Sequence, residues 1–169
     1  MNIFERTLRI VAFAAVTAVA LLQGYRLLIP TQSNSAVAAA KLIGRRLDQL
    51  PSDPSGPKGT LVASLATNCV FCTASAPFYK KLLTEVLPAK PGIASVAFMP
   101  EEKDRAEGYL EEVVGANFGA VVRGKPLGVV VTPALMLVDN RGVVKNVWIG
   151  QLGSDKEQEV VSAIEGLAQ

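Results

Sequence analysis

Apolar runs with the spacing of strands and helices alternate over the second part of the chain. Residues 61–66 form a short apolar run that predicts a buried strand, and residues 93–99 predict a second strand. Between these two runs, apolar side chains recur at helical spacing, at Phe78, Leu82, Leu83, Val86 and Leu87. The predicted order is therefore strand, helix, strand.

The pattern then changes to a charged helix and a short strand. Residues 101–114 predict a surface helix that ends at Gly115, because glycine favours the left-handed conformation that closes a helix. Its apolar side consists of Tyr109, Leu110, Val113 and Val114. A short strand is expected at residues 118–122, followed by a turn at residues 123–126.

A hairpin and a final helix complete the predicted elements. Residues 134–138 and 143–149 predict two strands, joined by a turn at residues 139–142. Ser154 is expected to cap the last helix, with Glu157 completing a capping box. The apolar positions of this helix predict an inward face made of Val160, Val161, Ile164 and Leu167.

The N-terminus has a different pattern, a long apolar stretch after a basic start. Residues 10–22 carry no charge, and apolar character resumes at residues 27–29. A helix over residues 10–29 is about 30 Å long, enough to cross a membrane if Arg26 reaches the far interface. The alternative is a signal peptide, but no small-x-small cleavage pattern lies between Gln23 and Pro30. We therefore expect a membrane anchor whose basic start stays in the cytoplasm.

Composition divides the chain into three parts. We expect a cytoplasmic stub and membrane anchor over residues 1–30. A helix and a linker rich in proline, serine and glycine follow over residues 31–58, and a globular domain covers residues 59–169. The whole chain has 50% hydrophobic and 19% charged residues, a net charge of +2 and no histidine. These numbers argue against nucleic-acid binding and against histidine-based acid–base or zinc chemistry.

The two cysteines of the chain, Cys69 and Cys72, lie where the first predicted strand ends and the first helix begins. A structural zinc site is disfavoured because zinc needs four ligands and the chain has no other cysteine or histidine. An inert disulfide remains open. A catalytic dithiol suits the position better, because a helix N-terminus stabilises a thiolate, the attacking species in disulfide exchange.

The order of elements around this pair resembles the thioredoxin fold, an α/β fold with a central mixed sheet flanked by helices. Pro77 matches the proline that kinks the active-site helix of that family. Thr132 and Pro133 match its cis-proline turn, and Gly150 matches the glycine that closes the rim of the substrate groove. The additional helix and strand at residues 101–122 resemble membrane-anchored thiol–disulfide oxidoreductases of the TlpA/ResA type.

This resemblance implies extracytoplasmic thiol–disulfide exchange, with Cys69 as nucleophile and Cys72 as resolving cysteine. It implies a cis Thr132–Pro133 bond close to the dithiol, and a client-binding surface made of Thr132, Pro133, Phe71 and Gly150. The implied partners are client disulfides or dithiols, an upstream membrane thiol donor and the membrane itself, with no cofactor, metal or nucleic acid. The alternative is a membrane-tethered binding module of the same fold with a non-catalytic disulfide.

Two departures from the family pattern bear on the expected chemistry. Ala63 stands where thioredoxins carry a buried aspartate, and Ser75 stands where ResA-like reductases often carry a glutamate. With neither carboxylate, no obvious side chain takes the proton of Cys72. We therefore expect resolution by Cys72 to quicken as this thiol ionises. The resemblance favours a reductant over an oxidant.

Overall fold

The computed structural model describes residues 32–51, 58–129 and 131–168. The expected membrane anchor over residues 10–29 lies outside these ranges, as does most of the expected linker. Within the described residues, every helix is too short or too polar to cross a membrane.

Five strands form one mixed sheet. They are β1 (Gly59–Ser64), β2 (Ile93–Met99), β3 (Ala120–Arg123), β4 (Ala134–Asp139) and β5 (Val144–Ile149). The order across the sheet is β3-β2-β1-β4-β5. The first three strands are parallel, and β4 runs antiparallel to both β1 and β5. The mixed sheet and the inserted helix and strand between β2 and β4 are thus confirmed.

Helices precede, connect and follow the strands. They are α1 (Gln32–Ala40), α2 (Val70–Ala74), α3 (Ala76–Lys81), α4 (Lys103–Tyr109) and α5 (Ser154–Ala168). Both α3 and α4 continue directly into one π-helical turn, at Leu82–Val86 and Leu110–Val114. The second π-helical turn ends at Gly115, which has a φ of 68°, as the sequence predicts.

One face of the sheet carries the main core. Alternate side chains of β1, such as Leu61 and Ala63, point to this face because successive strand residues face opposite sides. Helices α2 to α5 cover it, with Tyr79, Tyr109 and Ile164 among their buried residues. Most apolar positions predicted from the sequence therefore face the sheet, but Val113, expected on the apolar side of its helix, is 37% exposed.

The opposite face is covered differently, by a chain segment that precedes β1. Leu42 and Leu47 are buried against Val62, Met136 and other residues of this face. The segment is also held by its backbone, since the Leu47 N–H donates to the Gly142 carbonyl at 2.8 Å. The residues before the domain boundary expected from composition thus contribute to its core.

Several sequence expectations shift by one or two residues, including the short strand expected at residues 118–122, which covers Ala120–Arg123. The first strand covers Gly59–Ser64 rather than residues 61–66, because its pairing with β2 and β4 begins at Gly59. The expected cap at Ser154 is wrong by one residue. The Glu157 N–H donates to the Gly153 carbonyl at 2.9 Å, so Gly153 occupies the cap position and Ser154 is the first helical residue.

Candidate redox site at the Cys69–Cys72 pair

Cys69 occupies the N-cap of α2. Its backbone is extended, with φ −96° and ψ 106°, and its carbonyl accepts hydrogen bonds from the N–H groups of Cys72 (3.0 Å) and Thr73 (3.1 Å). The Cys72 N–H also lies 3.0 Å from the Cys69 sulfur. The free N–H groups of a first helical turn carry partial positive charge, so this position favours a negatively charged sulfur.

The two cysteines form a disulfide and differ in exposure. Their Cα atoms are 5.2 Å apart. Cys72 is 0% exposed, whereas Cys69 is partly exposed. Cys69 is therefore the residue of the pair that a large reagent or client can reach, and Cys72 is not.

The helix that follows the disulfide is broken at Ser75. α2 ends there, and α3 begins at Ala76 with Pro77 in its first turn. Proline is tolerated at that point because the N–H it lacks would have no partner inside the helix. The kink expected at Pro77 is therefore present, and it keeps α2 as a separate short helix.

The proline turn and Gly150 lie at the end of the sheet where β1 leads into the cysteine loop, residues 65–69 between β1 and α2. The Thr132–Pro133 peptide bond is cis, as expected. The Pro133 carbonyl accepts a hydrogen bond from the Gly150 N–H at 2.8 Å. The next residue, Ala134, pairs with Ser64, the last residue of β1. The structure thus brings Pro133 and Gly150 together, at the end of β1 that leads to Cys69.

Apolar side chains are exposed at the start of α2 and just before the proline turn. Val70 and Phe71, between the cysteines, are 78% and 59% exposed, and Val131, before the proline turn, is 46% exposed. By contrast, Trp148 is buried and donates its indole N–H to Glu159 at 3.1 Å. Trp148 therefore belongs to the core, and Phe71 is available for contact with another molecule.

Ala63 and Ser75, the positions where the thioredoxins and ResA-like reductases carry carboxylates, are buried. Ala63 is 0% exposed, and Ser75 is 7% exposed with no hydrogen-bond partner for its hydroxyl among the described residues. Tyr79 lies in the next turn after Ser75. Burial raises the pKa of the Tyr79 phenol far above its ordinary value. Tyr79 therefore stays protonated and is no general base.

One carboxylate next to the cysteine loop was missed by the sequence analysis. Glu101 accepts two hydrogen bonds from Thr67, from its backbone N–H at 2.8 Å and from its hydroxyl at 2.9 Å. Each residue follows a predicted strand, but the parallel pairing of the two strands, which brings the residues together, is seen only in the structure. Glu101 follows the end of β2, Thr67 follows the end of β1, and the carboxyl ends of parallel strands meet at one edge of a sheet.

Comparison with solved structures identifies the fold. The chain is similar to a protein from Chlorobium tepidum assigned as the thiol:disulfide interchange protein DsbE, with a TM-score of 0.56 and 20% identity over 74% of this chain and 99% of that one. It is similar to a secreted thiol-disulfide isomerase from Corynebacterium glutamicum, with a TM-score of 0.54 and 14% identity over 67% and 72%. A thioredoxin family protein from Chlorobium tepidum TLS matches with a TM-score of 0.51 and 16% identity over 66% and 81%.

These likenesses define the class of the fold and not a particular protein. The chain has a thioredoxin-like fold, the fold of solved thiol:disulfide interchange proteins, with a Cys-x-x-Cys pair at the start of a helix. No family model matches the sequence, and no curated protein matches it.

Proposed function

We propose that this chain is a thiol–disulfide oxidoreductase that works through the Cys69–Cys72 dithiol. The observation that carries the proposal is the contrast between the two sulfurs. Cys69 is partly exposed at a helix N-cap, with the Cys72 N–H 3.0 Å from its sulfur, and Cys72 is fully buried behind it. A disulfide that served only to hold the chain together would not need an accessible sulfur in an electropositive position.

Exchange proceeds in two displacements. The Cys69 thiolate attacks one sulfur of a client disulfide, forms a mixed disulfide and releases the other client sulfur as a thiolate. The Cys72 thiolate then attacks the Cys69 sulfur, which breaks the mixed disulfide and releases the second client thiolate. Two electrons pass from the dithiol to the client, and the Cys69–Cys72 disulfide is formed. The reverse sequence oxidises a client.

The second displacement requires Cys72 to lose a proton while it is buried. The positions of Ala63 and Ser75 supply no carboxylate for this step. Resolution is therefore expected to accelerate as the pH rises and the Cys72 thiol ionises. A resolving rate that stays constant from mildly acidic to mildly alkaline buffer would show that another base takes the proton.

The client-binding site is proposed to consist of Thr132, Pro133, Phe71 and Gly150, with Pro133, which is buried, shaping the turn behind the three accessible residues. Thr132 is partly exposed, and among the described residues its backbone groups make no hydrogen bond to other backbone groups. An extended client segment can pair with such free backbone groups, and Phe71, 59% exposed, offers an apolar contact beside the sulfurs. We expect this surface to give affinity without strong sequence preference.

Trapping tests the function directly. Cys72→Ser should accumulate mixed disulfides through Cys69, because the attacking thiol remains and the resolving thiol is gone. Cys69→Ser is the matched control and should trap nothing. The adducts are detected by non-reducing electrophoresis and mass spectrometry after lysis in acid. Equal alkylation rates for both thiols of the reduced wild type would contradict the assigned roles and favour a binding module with an inert disulfide.

The direction of electron flow is proposed to be that of a reductant, on the resemblance alone. A reductant should have a reduction potential below that of the glutathione couple, so the protein should be mostly oxidised when equilibrated in glutathione buffers. Quantifying the dithiol and disulfide forms by mass spectrometry across a series of glutathione ratios gives the potential. A protein that stays mostly reduced in these buffers would act as an oxidant.

We further propose that the domain lies outside the cytoplasm, held by the apolar stretch over residues 10–29. The support is the composition of that stretch and the use of disulfide chemistry, which persists in oxidising compartments. Carbonate-washed membranes should retain the protein, and its intact mass should include the N-terminal segment. A soluble product that begins near Ala39 would instead indicate a cleaved signal peptide.

A further inference from the structure

The carboxylate of Glu101 is bonded to the loop that leads to Cys69. One oxygen, Oε1, accepts both the backbone N–H of Thr67 at 2.8 Å and the Thr67 hydroxyl at 2.9 Å. The other oxygen, Oε2, is buried and has no hydrogen-bond partner among the described residues. Thr67 and Glu101 are 34 positions apart in sequence, so this contact exists only in the folded domain.

The neighbouring Glu102 is an ordinary surface carboxylate and serves as a comparison for Glu101. It pairs with Arg123 at 2.7 Å, and both side chains are mostly exposed, at 74% and 65%. Exposed pairs of this kind contribute little to stability. Glu101, in contrast, exchanges much of its hydration for two charge-assisted bonds to one residue, and such bonds are shorter and stronger than neutral ones.

The loop between β1 and α2 is held on both sides of Ala66. The Leu65 N–H donates to the Phe98 carbonyl at 3.0 Å, and Thr67 donates to Glu101. The Cys69 N–H then donates to the Ala66 carbonyl at 3.2 Å, which places Cys69 at the N-cap. The end of β2 therefore supplies both external partners of this loop.

We propose that Glu101 is a positioning residue for Cys69. By holding Thr67 it keeps Cys69 at the N-cap, where the Cys72 N–H faces the sulfur and stabilises its thiolate. Glu101 acts as a hydrogen-bond acceptor in this role and does not itself react. The benefit of positioning Cys69 rests on the proposed function, but the effect of Glu101 on Cys69 can be measured without any client.

The test is the pH profile of alkylation of Cys69 by iodoacetamide, in a Cys72→Ser background where only one thiol reacts. Glu101→Ala should move the midpoint of the profile to higher pH. It should also slow alkylation near neutral pH by at least about threefold, the size expected for loss of one helix-capping hydrogen bond. Glu101→Gln should stay within about twofold of the parent, because the amide oxygen can accept the same two bonds. Glu102→Ala is the matched control and should leave the profile unchanged.

Three results would overturn the proposal. If both Glu101→Ala and Glu101→Gln move the midpoint to lower pH, Glu101 acts by its negative charge and not by position. If Glu101→Ala lowers the free energy of unfolding but leaves the alkylation profile unchanged, the contact is only structural. Should Glu101→Ala fail to fold, Thr67→Val removes one of the two bonds and should shift the midpoint upward by a smaller amount; no shift would refute the positioning role.

Failure of this inference and failure of the proposed function give different results. If no client is trapped but the alkylation midpoint shifts as expected, the oxidoreductase function is contradicted. Glu101 then still sets the pH at which the Cys69 thiol ionises. Trapped clients with no dependence on Glu101 would support the oxidoreductase and refute the role of Glu101.

Discussion

At the scale of single residues, Gly59 shows how tightly β1 is enclosed. It is the first residue of the strand, and a Cβ atom there would lie 2.5 Å from the Val138 carbonyl oxygen and closer still to the Leu167 side chain. Leu167 can move, because it is the end of a flexible side chain, but the Val138 carbonyl belongs to the paired strand β4. The absence of a side chain at Gly59 is therefore needed for packing.

Gly59→Ala should lower the free energy of unfolding by about 1–3 kcal/mol, the usual cost of adding a methyl group to a filled core. Gly108→Ala is the matched control, since a Cβ built at that helical position meets no described atom within 4 Å apart from its chain neighbours and the backbone of its own helix. It should raise the free energy of unfolding by about 0.5–1 kcal/mol, because alanine favours a helix over glycine. Urea denaturation measures both values, and equal effects of the two changes would contradict this explanation.

At the scale of elements, the β4–β5 hairpin is closed by the side chain of Asp139. Its Oδ1 accepts the N–H groups of Arg141 and Val143, each at 2.9 Å. Burial by itself would raise the pKa of the Asp139 carboxyl, but these two N–H groups and the nearby Lys145 outweigh it and hold the pKa below the ordinary 3.8. The ionised form is therefore the one that stabilises the turn.

Asp139→Asn should lower the free energy of unfolding at pH 7 by about 1 kcal/mol, because hydrogen bonds to a charged acceptor are stronger than those to an amide. A carboxyl group whose pKa is lower in the folded than in the unfolded state stabilises the protein fully at pH values above its unfolded pKa. This contribution is lost as the pH falls through its folded pKa. The advantage of the wild type should therefore shrink as the pH falls below about 4. Denaturation at pH 7 and at pH 3 tests this, and Asp48→Asn, at an exposed pair, should have no effect at either pH.

At the scale of the whole molecule, the second face of the sheet depends on a segment that lies before β1. Leu47 is 2% exposed and packs with Leu42 on that face, whereas Ile43 between them is 52% exposed. Helices α2 to α5 all contribute to the opposite face. The segment thus replaces a helical layer over part of the sheet.

Leu47→Ala should lower the free energy of unfolding by about 2–5 kcal/mol, as deletion of a buried leucine side chain leaves a cavity. Ile43→Ala removes a similar number of methyl groups from an exposed site and should cost no more than about 0.5 kcal/mol. Urea denaturation of both variants provides the comparison. If the two variants lose similar amounts of free energy of unfolding, the segment is not part of the folded domain.

Local patterns in the sequence were sufficient to predict most elements and the position of the cysteines. The strand and helix periods are short, so residues 93–99 and the helical positions from Phe78 to Leu87 carry their signal within a few neighbours. The Cys-x-x-Cys spacing and the strand-to-helix boundary are local as well. The cis bond before Pro133 was predicted from the family resemblance, and the backbone confirms it.

The contacts that complete the site and the core were decided only by the tertiary structure. The bond from Thr67 to Glu101 joins residues that no short pattern relates, and it depends on the parallel pairing of β1 with β2. The packing of Leu47 on the second face likewise requires the sheet order, which brings Val62, Met136 and Val144 together. Apolar periodicity shows that a side chain will be buried, but not against which part of the chain, because the hydrophobic effect is non-directional.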